Sequence, residues 1–234
     1  MLENYLTRLY KEAERDKERK LKEVLKKIPG IEVLLDVGCW DGVKTMWWVK
    51  AARAKKIIGI DSIESATKIA AKKGIETYTV DLNTQKWPIK DRSVDCVVSN
   101  LVIEHLSNVD NFITESYRVL KKGGYTVIST NNLSSWPNIF SLLLGWAPFD
   151  LANSSPMVWS MGNPLVVHKN TKSVYGPSFL HKCVYTIRWL KEWYELYGFK
   201  LKIIKGAGYY PLPNFFGNID KTHASLIILA FKKD

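Results

Sequence analysis

The stretch DVGCWDGVKT, residues 36 to 45, follows the apolar run Ile31-Glu-Val-Leu-Leu35, and a nucleotide-type turn straight after a buried strand decides the fold. Read as a P-loop, G-x-x-x-x-G-K-[ST], it has Gly38, Lys44 and Thr45 in place but Val43 where the second glycine belongs. Read as the dinucleotide fingerprint G-x-G-x-x-G, it shows Trp40 and Val43 at two glycine positions. A third pattern, acidic-x-G-x-G-x-G, finds Asp36, Gly38 and Gly42 and misses only at Trp40. The loop alone leaves all three open.

Outward from the loop, the chain alternates between two kinds of segment. Apolar Val33–Asp36 leads to helical Val43–Ala52, apolar Ile57–Ile60 to helical Ser65–Lys73 closed by Gly74, and extended Glu76–Val80 follows. Then come apolar Val94–Ser99, helical Val109–Lys121 with Gly123-Gly124 as its terminator, and apolar Tyr125–Ser129. Continuous apolar strands alternating with helices predict an α/β fold: a doubly wound, Rossmann-like parallel sheet covered on both faces. Residues 1–30 read as one or two amphipathic helices ending at Pro29-Gly30. The pattern breaks after Asn131. Residues 132–180, rich in Trp, Pro, Ser, Gly and Asn, are too long for a plain connector and read as an insertion or lid over the sheet's carboxyl edge. Residues 181–234 then return helical Ile187–Tyr197 and two last strands, Leu201–Ile204 and Ser225–Phe231, for seven strands in all.

Composition sets wide bounds. With 234 residues, 46% hydrophobic and 24% charged, the chain suits one α/β domain with a sizeable core. Cys39, Cys96 and Cys183 are scattered, which suggests neither a disulfide framework nor a zinc site and fits a reducing cytoplasm. The charged first thirty residues lack a secretory core, and the apolar stretch 139–152 is broken by Gly145 and Pro148, short of the ~20 residues a membrane span takes, so no transmembrane segment is expected. The net charge of +11 invites nucleic acid, yet the lysines are spread along the whole chain rather than gathered in a run, so a solvated basic surface is favoured.

In an open parallel sheet, ligands collect at the carboxyl ends of the strands. There this sequence places Asp36 and Gly38, then Asp61 in IIGIDS, Asp81 in YTVDLN and Ser99-Asn100 in DCVVSN. An acid after the second strand serves a ribose in any of the three turn readings. An acid after the third strand, able to accept an adenine amino group while the amide of Leu82 donates to the ring, belongs to one of them. Phosphate ligands also need glycines that let several N–H groups wrap the oxygens, whereas a phosphate-free ligand tolerates a non-glycine at Trp40.

The ordered string LLDVGCWDG, IIGIDS, YTVDLN and DCVVSNLVIEHLSNVDNFITESYRVLKKGGYTVIST resembles a class I S-adenosylmethionine (SAM) dependent methyltransferase of the small-molecule group often called type 11. The resemblance covers about residues 31–131, the expected SAM-binding core, and resumes at HKCVYTIRWLKEWYELYGFK. It implies SAM as cofactor, with contacts at Asp36, Gly38, Asp61, Asp81, Leu82 and Asn100 and with the turn backbone at Cys39 and Trp40 close by.

Because a sulfonium methyl is already activated, such an enzyme mainly aligns its acceptor and excludes water. A hydroxyl acceptor profits from a base, for which His105, His181 and His168 stand in that order. Trp159 and Tyr175 are the candidate substrate contacts. The adenine-amine signature, a Pro-Cys nucleophile and a carboxylate pair for a metal are all missing from the sequence, so no metal ligand is assigned. A small or glycan-like acceptor remains, methylated at O or N, and NLSSWPNIFSLLLGWAPF with GNP and HKCVYT resembles methyltransferases associated with glycan assembly. Two alternatives stand beside this reading. One is an RNA methyltransferase gripping phosphate with Arg15, Arg19, Lys20 and Lys27; the other is a non-catalytic binding scaffold whose Trp40 blocks the cofactor. Each residue also has a plainer reading: Asp36 as a turn brace, Glu104 and His105 as helix-entry residues, the aromatics as the core of the insertion.

Overall fold

The computed structural model describes residues 2–151, 161–164 and 180–234; Trp159, His168, Tyr175 and part of the expected lid lie outside the described residues. A single helix α1 (Leu2–Lys27) precedes β1 (Val33–Val37), α2 (Val43–Ala52), β2 (Lys56–Asp61), α3 (Glu64–Ala71), β3 (Glu76–Thr79) and β4 (Val94–Asn100). A 3₁₀ turn, Ile103–His105, leads to α4 (Val109–Val119), β5 (Leu120–Asn131) and α5 (Trp136–Leu143). The chain ends in α6 (Ile187–Leu196), β6 (Phe199–Ala207), α7 (Phe216–Ile219) and β7 (Leu226–Lys233).

The seven strands form one sheet in the order β3-β2-β1-β4-β5-β7-β6. The first five are parallel, and β7 runs antiparallel to both β5 and β6. Chain order reverses between β1 and β4, so the crevice for a ligand opens above those two carboxyl ends. Successive side chains of a strand face opposite sides, and the core divides accordingly. Leu35, Val37, Val97 and Ile128 face α4 and α6 together with Phe112, Leu190 and Tyr194. Leu34, Cys96, Val98 and Val127 face α1 and α2 with Leu21, Val24, Leu25 and Trp48. Burial on both faces is why the strands read as unbroken apolar runs.

Helix α1 is fastened by more than its apolar stripe. Buried Lys20 donates to the Gly206 carbonyl at 2.6 Å and pairs with Asp16, Lys44 of α2 pairs with Glu18 at 2.9 Å, and Lys22 lies 5.5 Å from the Trp47 ring. Among the described residues no helix is long and apolar enough to cross a membrane.

One expectation is corrected. Gly123-Gly124 do not end the helix: α4 stops at Val119, Leu120 turns extended (φ −70°, ψ 137°), and both glycines lie within β5. They form an irregularity where the pairing jumps from Val94 with Leu120 to Cys96 with Tyr125. Gly123 has φ +77°, and a Cβ on Gly124 would stand 3.0 Å from the carbonyl oxygens of Asp95 and Lys121. The local signal for a stop was real, but strand pairing with β4 claimed the segment.

Candidate functional site

The turn from β1 to α2 is held from beneath. Asp36 is buried and accepts the Thr45 hydroxyl at 2.6 Å, and burial pushes its carboxyl up to about 7 against the pull of that bond. Gly38 and Gly42 take φ +79° and +78°, and neither has room for a side chain: a Cβ would come 2.3 Å from Val102 and 2.5 Å from Ile75. Trp40 takes φ 48°, a left-handed conformation that costs a non-glycine residue roughly 1–2 kcal/mol, which accounts for the glycine usual in the pattern it breaks. The residue is 44% exposed, and it is the Cys39 side chain that goes into the core.

An accounting of the turn's N–H groups narrows its ligand. Those of Gly38 and Cys39 both donate to the Ile60 carbonyl (2.8 and 3.1 Å), that of Trp40 to Asp61 Oδ2 (2.9 Å), that of Gly42 to the Cys39 carbonyl (2.9 Å) and that of Val43 to Asp41 Oδ1 (3.0 Å). A phosphate cradle needs such groups pointing at the ligand. Here these five are spent within the protein, beside three carboxyl groups.

Asp61 ends β2 with one N–H on each oxygen, from Trp40 and from Ile63 at 3.0 Å. A carboxylate offers about four acceptor positions, so each oxygen keeps one for a ribose hydroxyl. Asp81, after β3, receives the N–H and side-chain amide of Asn83 on Oδ1 and the Thr84 hydroxyl on Oδ2, and these bonds, led by the Asn83 N–H, hold its carboxyl below the usual range. One acceptor position is left for an adenine amino group. Leu82 is buried, and its carbonyl takes the Asn111 amide. Asn100, half-buried at the end of β4, accepts the Ser129 hydroxyl at 2.9 Å. These residues fit a nucleoside-bearing ligand without phosphate, and Asp36 and Cys39 support the loop from below instead of lining its surface.

Beyond β4 the site changes character. Glu104 is fully buried; Oε2 accepts the Thr130 hydroxyl at 2.9 Å, Oε1 has no hydrogen-bond partner among the described residues, and burial raises the carboxyl to about 7. Its main-chain carbonyl accepts the N–H of Lys182 at 2.7 Å, which draws the segment 180–183 over the turn. His105 and His181 thereby meet edge to face, ring centres 4.8 Å apart. The Nδ1 of His105 faces the Leu180 carbonyl (3.1 Å) and that of His181 the Asp150 carbonyl (2.6 Å), while burial holds both imidazoles below their ordinary value, His181 at about 4. Asp150 is itself bound by the side-chain amides of Asn131 and Asn138. From α1, the buried ammonium of Lys17 pairs with Glu14 and acts on Glu104 through space.

The sequence reading brought His105 and His181 forward as bases and the structure sets them side by side. It passed over Glu104 as a helix-entry residue and did not consider Lys17, Thr130 or Asp150. A charged residue between apolar neighbours in Val102-Ile103-Glu104 was the one signal available.

Residues 35–128 match a family model described as a methyltransferase domain. Residues 35–128 are thus similar to a methyltransferase domain, and the sheet order agrees with the doubly wound fold expected from the sequence. The chain is 28% identical over 134 residues to a ubiquinone biosynthesis O-methyltransferase of Rickettsia prowazekii, covering 53% of this chain and 52% of that protein. It is 30% identical over 117 residues to a malonyl-[acyl-carrier protein] O-methyltransferase of Marinomonas sp., covering 49% and 43%. Across the curated relatives it matches, the chain spans about a third to a half of their length, 38% in a probable S-adenosylmethionine-dependent methyltransferase of Mycolicibacterium smegmatis and 52% in the Rickettsia protein. A crystal structure of an S-adenosylmethionine dependent methyltransferase from Mesorhizobium loti shares the fold with a TM-score of 0.60 at 16% identity, covering 92% of this chain and 96% of that one.

Proposed function

We propose that the protein is a SAM-dependent methyltransferase acting on a small or saccharide-like acceptor at oxygen or nitrogen. The observation that carries this reading is the turn of residues 38–43, where the N–H groups of Gly38, Cys39, Trp40, Gly42 and Val43 are bonded within the protein, which favours a ligand without phosphate over NAD or ATP. Asp61 is assigned to the ribose hydroxyls, Asp81 and the Leu82 amide to adenine, and Gly38 and Asn100 to the remainder of SAM above β1 and β4. SAM supplies an activated methyl, so the protein's task is to hold the acceptor in line and keep water out.

The acceptor is assigned to the site above β4 and β5, where Glu104 and His181 are buried and His105 is the least buried of the three ionisable groups. A buried, hydrogen-bonding wall suits an acceptor that carries hydroxyls. The RNA alternative loses support from α1, where Lys20 is buried against Gly206 and Arg19 is paired with Asp16 and Glu23.

Calorimetric titration with SAM, NAD and ATP tests the reading. Micromolar SAM binding without NAD or ATP binding is expected, followed by methyl transfer from labelled SAM to a panel of hydroxylated small molecules and sugars. Binding of NAD or ATP in place of SAM overturns it.

A further inference from the structure

Glu104, His105 and His181 can each offer a ligand atom, and the three atoms lie within 4.8 Å of one another. In a tetrahedral zinc site, bonds of about 2.0–2.2 Å place ligand atoms roughly 3.3–3.6 Å apart, so a side-chain adjustment of about an ångström closes this set around an ion. We propose that Glu104, His105 and His181 form a divalent transition-metal site, with Zn²⁺ as its first occupant.

Two further observations point the same way. Oε1 of Glu104 is buried with no partner among the described residues, which is costly for a carboxyl oxygen unless something else meets it. Each histidine, moreover, has Nδ1 against a main-chain carbonyl, Leu180 for one and Asp150 for the other. Held so, Nδ1 carries the proton and Nε2 the lone pair, the outer arrangement that fixes tautomer and ring direction in metal-ligating histidines. Two imidazoles and one carboxylate suit Zn²⁺ and its first-row neighbours better than Mg²⁺ or Ca²⁺, which prefer oxygen ligands throughout.

Three protein ligands leave a fourth position open, as in catalytic zinc sites. The ion would face the acceptor side of the crevice, and an acceptor hydroxyl in that position would bind as an oxygen ligand with its acidity raised; this last point alone rests on the methyltransferase reading. The assignment makes His105 and His181 ligands in place of the bases that the sequence suggested.

The test uses the full chain stripped with chelator and dialysed metal-free, then titrated with Zn²⁺ and separately with Co²⁺. One Zn²⁺ per chain is expected by calorimetry, along with visible Co²⁺ absorption of a low-symmetry, four- or five-coordinate site that Zn²⁺ bleaches. Glu104→Gln and His181→Ala, checked for native circular dichroism, should each weaken Zn²⁺ at least a hundredfold, while His223→Ala leaves it unchanged. Absence of both Zn²⁺ binding and the Co²⁺ spectrum in the unmodified protein overturns the proposal whatever the variants do. Binding that persists undiminished in Glu104→Gln and His181→Ala overturns it as well. SAM titrated into the same metal-free protein is a separate readout: failure there removes the methyltransferase reading and leaves the metal result standing.

Discussion

On the β1–β3 side of the sheet's carboxyl edge, side-chain bonds span shorter stretches of chain: Asp61 receives Ile63 two positions on, Asp81 is tied to Asn83 and Thr84, Thr45 bonds Asp36 nine positions back, and the longest of these, Trp40 to Asp61, spans 21. On the β4–β5 side the partners are distant: Thr130 bonds Glu104 across 26 positions, Asp150 holds His181 across 31, and Leu180 holds His105 across 75. The first region is complete once the consecutive units β1-α2 and β2-α3 have paired. The second exists only once the sheet has closed. It follows that damage to the first should appear mainly in cofactor binding, and damage to the second mainly in stability and acceptor chemistry.

The sharpest way to break this division is Asp61→Ala. Two charge-assisted bonds to ribose hydroxyls, about 1.5–3 kcal/mol each, would be lost, and SAM affinity should fall at least a hundredfold by calorimetry; the thermal midpoint should fall as well, since the Trp40 and Ile63 N–H groups lose their acceptor. Unaltered affinity removes Asp61 from the site.

The pH dependence of stability probes the same loop through Asp36, whose carboxyl is raised from 3.8 to about 7, chiefly by burial and also by the Asp61 charge. Between those values the unfolded chain has released its proton and the folded chain has not. Stability from this group is therefore fully present below about pH 4 and is lost as pH rises through about 7, by on the order of 2–4 kcal/mol. Denaturant melts of Asp36→Asn, whose amide oxygen can still accept from Thr45, should lose that slope; an identical slope in the variant assigns it elsewhere.

Gly38→Ala forces a methyl to 2.3 Å from Val102 at φ +79°. A destabilisation of about 2–3 kcal/mol is expected, with a lower thermal midpoint and weaker SAM binding together. A midpoint within a degree of the parent would mean that Val102 yields freely.

Thr130→Val examines the other region, since it withdraws the one hydroxyl that Glu104 Oε2 receives. Stability should drop by about 1–3 kcal/mol with SAM affinity unchanged, and a matching loss of SAM affinity would show that the two regions are coupled. The smallest effect is expected from Trp40→Gly: glycine relieves the left-handed strain, and the backbone N–H that reaches Asp61 remains. SAM affinity should stay within a few-fold, and an NAD or ATP affinity that emerged in this variant would reopen the phosphate readings of the turn.

The one-sided legibility of the fold has the same origin. Strand-helix alternation up to β5 was readable because buried parallel strands need continuous apolar runs and helices need a 3.6 period, both properties of neighbouring residues. The boundaries of α2 agree with the sequence reading at both ends. At Lys121–Gly124 the same reasoning failed, because a glycine pair that would end a helix also suits a bulged strand, and pairing with β4 made the choice. In the loop of residues 36–45, glycine spacing alone could not separate three ligands, since what separates them is where each N–H points.

By itself, then, the sequence determined the doubly wound sheet and the acids at its first strand ends, since each depends on periodicity or on a turn of a few residues. Only the tertiary structure decided that five of the turn's N–H groups are already occupied, that Lys20 is a buried strut and not a phosphate contact, and that Glu104, His105 and His181 bring ligand atoms within 4.8 Å of one another. Those outcomes depend on segments far apart in the chain being brought within a few ångströms, and on the cost of burying a polar group, which is set by whatever partner the finished fold places beside it.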